Sequence, residues 1–143
     1  MTKGRLNGRD GHLYRPRCDW IAHELGLGDL AIMAHFSEQL FVPADVDKAA
    51  QEMQPGSVVL IQLEIPLETA LHAARLGHDS GATVIFNPAP AQDLRGQDLS
   101  SVDILTPNET EARVCLGLSP TDQTPDVEIA RQLLARGCGT VVM

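Results

Sequence analysis

The chain has very little lysine: Lys3 and Lys48 are the only two among its 143 residues. Eleven Lys and Arg face nineteen Asp and Glu, a net charge of −8. A surplus of that sign repels nucleic-acid phosphates and anionic membrane surfaces, so neither is a partner on this reading. No G-x-x-x-x-G-K-S/T loop is present, so neutralising a bound polyphosphate would fall to a metal ion and backbone amides. Cysteine is equally sparse. Cys18, Cys115 and Cys138 are odd in number and never in C-x-x-C spacing, so neither a disulfide framework nor a zinc site is indicated, and buried reduced thiols are the expectation. No apolar run is long enough for a signal peptide or a membrane span, and the expectation is a cytoplasmic protein. The sequence also has no internal repeat and no low-complexity tract.

What is present divides near residue 40. Met1 to Arg17 is rich in Arg, Gly, Asn and Asp without periodicity, and residues 1–40 read as a poorly ordered arm carrying one short helix, Asp19 to Leu25. Gly26-Leu-Gly-Asp-Leu-Ala31 fits a loose G-x-G-x-x-A pattern. A dinucleotide fingerprint must follow a buried strand, however, and Trp20 to Leu25 suits a helix, so the pattern carries no cofactor.

Residues 41–143 alternate between strand and helix. Pro43 to Met53 reads as a helix with Val46, Ala49, Ala50 and Met53 on one face. Ser57 to Leu63 is an apolar run of strand length, and Pro66 opens a helix that Gly77 closes near Leu76. Thr83 to Phe86 and Val102 to Leu105 read as strands, Asn108 to Leu116 and Val127 to Arg136 as helices, and Thr140 to Met143 as a last strand. Strands apolar on both faces and alternating with helices imply a mainly parallel α/β sheet covered by helices. In such a sheet ligands bind beyond the carboxyl ends of the strands. Glu64, Asn87 and Thr106 to Asn108 would then share one rim.

The richest stretch is Asp103-Ile-Leu-Thr-Pro-Asn-Glu-Thr-Glu-Ala112, where a strand runs into a helix with Asn108, Glu109 and Glu111 in its first turn. Asn108 followed three residues on by Glu111 has capping-box spacing. The mouth of such a helix also favours phosphate, and its carboxylates favour a divalent cation. Both readings stay open on the pattern alone.

Gln62-Leu-Glu-Ile-Pro-Leu-Glu68, Val84-Ile-Phe-Asn-Pro-Ala-Pro-Ala91 and Val102 to Ala112, in that order and spacing, resemble the middle of the ribokinase-like, or phosphofructokinase-B-like, carbohydrate kinases. The similarity runs from about Val42 to Met143. It implies part of a three-layer fold, a mainly parallel sheet flanked by helices, and ATP-dependent phosphorylation of ribose or a related sugar with Mg2+. The family also uses a monovalent cation such as K+, at a site outside this segment. By the same resemblance Glu64 binds the sugar, Asn108 organises the nucleotide phosphates, and Glu111 organises the magnesium ion and its water shell. Glu68 and Glu109 are expected only to complement helix dipoles. Asn87 to Ala91 shapes the rim, and His72 and His78 take boundary or surface positions.

The sequence departs from the family in what it does not contain. The family's Gly-Gly loop, lid and G-A-G-D anion hole with its catalytic aspartate are not found, and Gly26-Leu-Gly-Asp29 is an unrelated fragment ahead of the matched segments. No catalytic residue is therefore assigned. The expectation is an incomplete central segment of a longer kinase, as from a truncated, misjoined or frameshifted reading frame, inactive alone and prone to self-association through exposed sheet edges. The alternatives are a non-catalytic sugar- or nucleotide-binding remnant, and a degenerate product with no function.

Overall fold

A parallel sheet needs its strands connected by crossovers, and the apolar runs of this chain are spaced for that. A computed structural model describes residues 42–143. The proposed N-terminal arm, the Asp19 to Leu25 helix, the Gly26 to Ala31 pattern and Cys18 lie outside the described residues. Helix α1 (Pro43–Ala49) continues into a 3-10 turn (Ala50–Glu52). Strand β1 (Val58–Gln62), helix α2 (Leu67–Asp79) and strand β2 (Thr83–Asn87) follow. Then come β3 (Ile104–Leu105), α3 (Glu109–Cys115), α4 (Asp126–Leu134) and β4 (Thr140–Val141). The sheet order is β1-β2-β3-β4 and every neighbouring pair is parallel.

Because successive strands step in one direction, right-handed crossovers put their helices on one face of the sheet. The burial pattern agrees. Val59 and Ile61 of β1, Val84 and Phe86 of β2 and Leu105 of β3 are buried, as are Ala70, Ala74, Ile129 and Leu133 from the helices. On the opposite face Leu60 is 41% exposed. Register sets it in a row with Ile85, Ile104 and Thr140. The strands were expected to be covered on both faces; among the described residues only one face is. An apolar run such as Val-Val-Leu-Ile does not reveal this, because its composition is the same whether one face or two are covered.

Gly77 does not end α2, contrary to the expectation from sequence. It sits inside the helix, buried, where an added Cβ would lie 3.0 Å from both Val59 Cγ2 and Val84 Cγ2. Its role is close approach of helix to sheet. The turn that follows is made by Gly81 at φ 77°, a conformation that glycine adopts without a Cβ penalty. His78 accordingly lies in α2 and is exposed, rather than just after the helix.

The β2–β3 connection, residues 88–103, carries neither helix nor strand. It is anchored all the same. Leu94, Leu99 and Val102 are buried, the Leu94 amide donates to Cys115 O at the end of α3 (2.9 Å), and the Leu99 amide donates to Arg136 O (3.0 Å). The first of these bonds satisfies a carbonyl that the C-terminus of α3 leaves without an intrahelical partner.

Candidate functional site at the carboxyl edge of the sheet

All four strands point the same way, so their carboxyl ends form one edge. Gln62, the last residue of β1, pairs with Asn87, the last of β2. Phe86 pairs with Leu105, which ends β3 and leads into Thr106, Pro107 and Asn108. The edge is stitched beyond the ladder: the Leu63 amide donates to Asn87 O (3.2 Å), and the Thr106 amide and hydroxyl both donate to Phe86 O (2.9 and 3.4 Å). Glu64, Asn87 and Asn108 therefore all leave the sheet on this side.

Glu64 is half-buried, and Gln62 Nε2 donates to its Oε1 at 3.2 Å. After it Pro66 holds an extended backbone at φ −52°, ψ 135°, and α2 begins at Leu67 with Glu68 in its first turn. Asn87 opens the Pro88 to Ala91 segment, in which Pro88 is fully buried and the Ala89–Pro90 peptide is cis.

Asn108 is the N-cap of α3. The Glu111 amide donates to Asn108 Oδ1 (2.8 Å) and the Asn108 amide donates to Glu111 Oε2 (2.9 Å), a complete capping box. The cap reading of the Asn-x-x-Glu pattern is thus realised in the structure. Glu109 stands in the same turn and is exposed. The Glu111 carboxylate also acts one turn further on. Burial first, and then the charges of Glu111 and Asp93, push the Cys115 thiol up to about 12 from an ordinary 9.0.

Among the described residues no three His, Cys, Asp or Glu side chains cluster as a metal cage. Magnesium needs no such cage, since it keeps several waters and is commonly held by one or two carboxylates together with substrate phosphates. A single carboxylate such as Glu111, in one turn with an N-cap amide side chain, fits that requirement. The depression of about 310 Å³ lined by Leu67, Glu68, Leu71, Arg75 and Gln97 includes none of Glu64, Asn108 or Glu111.

The comparisons with known proteins agree with this architecture. No protein-family model matches the chain. A deoxyribokinase of Salmonella typhi is 36% identical over 105 residues, 71% of this chain and 33% of the relative. A ribokinase of Haemophilus influenzae is 36% identical over 110 residues, 77% of this chain and 34% of the relative. The solved ribokinase of Thermotoga maritima superposes with a TM-score of 0.53 at 30% identity, over 64% of this chain and 30% of that one. The chain is similar to a central segment of the ribokinase family. It spans about one third of the length of the curated relatives it matches.

Two residues of this ribokinase-like segment carry more of the local order than their sequence context suggests. Asp103 Oδ2 accepts the Val84 amide at 2.7 Å, joining the lead-in of β3 to β2. Arg113 donates to Glu109 O on its own helix and reaches Asp122 O and Thr124 O in the α3–α4 loop and the Asp126 carboxylate that opens α4. Sequence marks Arg113 only as a cation in the last turn of a helix; its partners become neighbours through the loop's return.

Proposed function

We propose that this chain supplies the sugar and nucleotide edge of a ribokinase-type carbohydrate kinase, which transfers the terminal phosphoryl group of ATP to ribose or a related sugar such as deoxyribose. The observation that carries this reading is the 36% identity to a ribokinase and to a deoxyribokinase over a segment whose strands all end at the edge bearing Glu64, Asn87 and Asn108. Glu64 accepts hydrogen bonds from sugar hydroxyls, a task for which carboxylate oxygens are suited because charge-assisted bonds fix a polyol's orientation. Asn108 orients the nucleotide phosphates, and Glu111 holds the magnesium ion or its waters. The metal supplies stabilisation of the charge that spreads over the phosphate oxygens during transfer. The family's monovalent cation is K+ or a similar ion, bound outside this segment.

No residue here is assigned as the catalytic base, since the 143 residues hold no G-A-G-D segment. A positioned general base contributes about 10²–10⁴-fold, and oxyanion-type donors about 10²–10³-fold. The polypeptide alone is therefore expected to be inactive. A second reading is a non-catalytic sugar- or nucleotide-binding remnant. A net charge of −8 disfavours nucleic-acid and membrane partners, and the proposed setting is the cytoplasm. No helix among the described residues is long and apolar enough to cross a membrane.

A coupled ADP-release assay with ribose, ATP and magnesium, run beside calorimetric titration of each ligand, tests these readings. Ribose-dependent turnover at about 1–100 s⁻¹, an ordinary kinase rate, overturns the assignment of no catalytic residue. Binding without turnover supports the nucleotide and sugar edge, and absence of both binding and turnover removes it.

A further inference from the structure

Helix α3 has seven residues, well below the roughly 12–15 at which an isolated helix becomes even marginally stable in water. Its orientation must come from outside the helix, and Arg113 is the side chain placed to supply it. The Arg113 side chain is 11% exposed. Its Nε donates to Asp122 O (2.7 Å), one terminal nitrogen donates to Glu109 O (2.7 Å), and the other donates to Thr124 O (2.9 Å) and Asp126 Oδ1 (2.7 Å). One planar group thereby ties the first residue of α3, two carbonyls of the following loop and the first residue of α4. Asp122 is itself held, its Oδ1 accepting the Thr124 amide at 2.8 Å, so the acceptors are preset. Glu109 directly follows Asn108 in the cap turn.

We propose that Arg113 is a positioning residue for the Asn108–Glu111 turn, fixing that turn against α4 and so presenting Asn108 and Glu111 to a magnesium–nucleotide ligand. The ligand part rests on the proposed nucleotide role of those two residues. Arginine suits the position because its rigid fork meets several acceptors at once, whereas a lysine ammonium is a single point on a flexible stem. Buried Ala112 and Cys115 hold α3 on the core, and the Ala112 amide donates to Asn108 O (2.9 Å); Arg113 adds the tie between the cap turn and α4.

The test uses the full chain with Arg113→Gln and Arg113→Lys. Amide hydrogen exchange is read at Glu111, whose amide bonds Asn108, and at Ile61 and Phe86 in the sheet; Mg2+–ATP is then titrated against each protein. Expected is exchange at Glu111 faster by about tenfold in Arg113→Gln, the scale of losing charge-assisted hydrogen bonds, with Ile61 and Phe86 unchanged. The nucleotide affinity falls in parallel, and Arg113→Lys lies between. Equal acceleration at all three amides, or none at Glu111, overturns the proposal by reducing Arg113 to general stability or to nothing. Selective loosening with unaltered nucleotide affinity overturns it too. Selective loosening where the unsubstituted chain binds no nucleotide supports the tether and removes the nucleotide role of Asn108 and Glu111. Arg113→Lys keeps the charge and most of the volume, so the comparison stands even where Arg113→Gln fails to fold.

Discussion

Asn108 and Glu111 hold each other, each side chain accepting the other's backbone amide, at 2.8 and 2.9 Å. That exchange fixes the Glu111 carboxylate at the mouth of α3 while committing its Oε2 to the cap. A cap and a magnesium-organising pair are therefore compatible uses of one turn.

From this follows a discrimination between neighbouring acids. Glu111→Gln should weaken Mg2+–nucleotide binding more than Glu109→Gln, because Glu109 lies outside the reciprocal pair. Calorimetric titration of both variants decides it, and equal losses would reduce the motif to general acidity. Asn108→Ala should cost about 1 kcal/mol of stability through the lost cap, read as a lower urea midpoint.

Gly77→Ala is expected to destabilise the fold even though alanine is the better helix former. Its Cβ would meet Val59 Cγ2 and Val84 Cγ2 at 3.0 Å and Val59 Cβ at 3.3 Å, under the sheet-packed face of α2. The propensity gain of about 1 kcal/mol opposes an overpacking cost of about 1–3 kcal/mol. Urea unfolding checks the sign. An unchanged or raised midpoint would mean that the two valines yield.

Cys115 should make the protein lose stability in alkali. Its native thiol titrates near 12 against 9.0 in an exposed setting, so the unfolded chain gives up that proton first. The contribution is complete below about pH 9 and is lost progressively as pH rises toward the native value, with stability falling between the two. Urea midpoints at about pH 8 and about pH 10.5 should differ in that direction, and Cys115→Ala should flatten the difference. The same burial makes native Cys115 resist alkylation at about pH 9, and labelling that proceeds equally with and without urea would contradict it.

Leu60, 41% exposed beside Ile85 and Ile104, belongs to a sheet face that is open among the described residues. Apolar surface of this kind and unpaired strand edges favour association. Sedimentation of the chain should show mass rising with concentration, and Leu60→Lys should lower it without a large change in unfolding midpoint. A monomer at every concentration would leave the self-association reading without support, and with one sharp unfolding transition would favour the binding-module reading.

The strand and helix alternation was legible because each apolar run is short, flanked by Pro, Gly or Asn, and of one period. The edge position of Glu64, Asn87 and Asn108 was legible for the same reason: parallel connectivity follows from alternation, and it sends every strand's carboxyl end one way. Gly77 was misread because a glycine near a helix end has the same local signature whether it stops the helix or packs against a sheet. Only Val59 and Val84, brought in from two strands, distinguish the cases.

By itself, then, the sequence determined the elements, their parallel order and the resemblance to the ribokinases, since all of these depend on local period or matched segments. Tertiary structure decided the rest. It chose which face of the sheet the helices cover, turned Gly77 into a contact point, and gave Arg113 three of its four acceptors, from residues nine to thirteen positions away. These are outcomes of non-local packing, in which a residue's role is set by neighbours that the chain supplies only after it has folded.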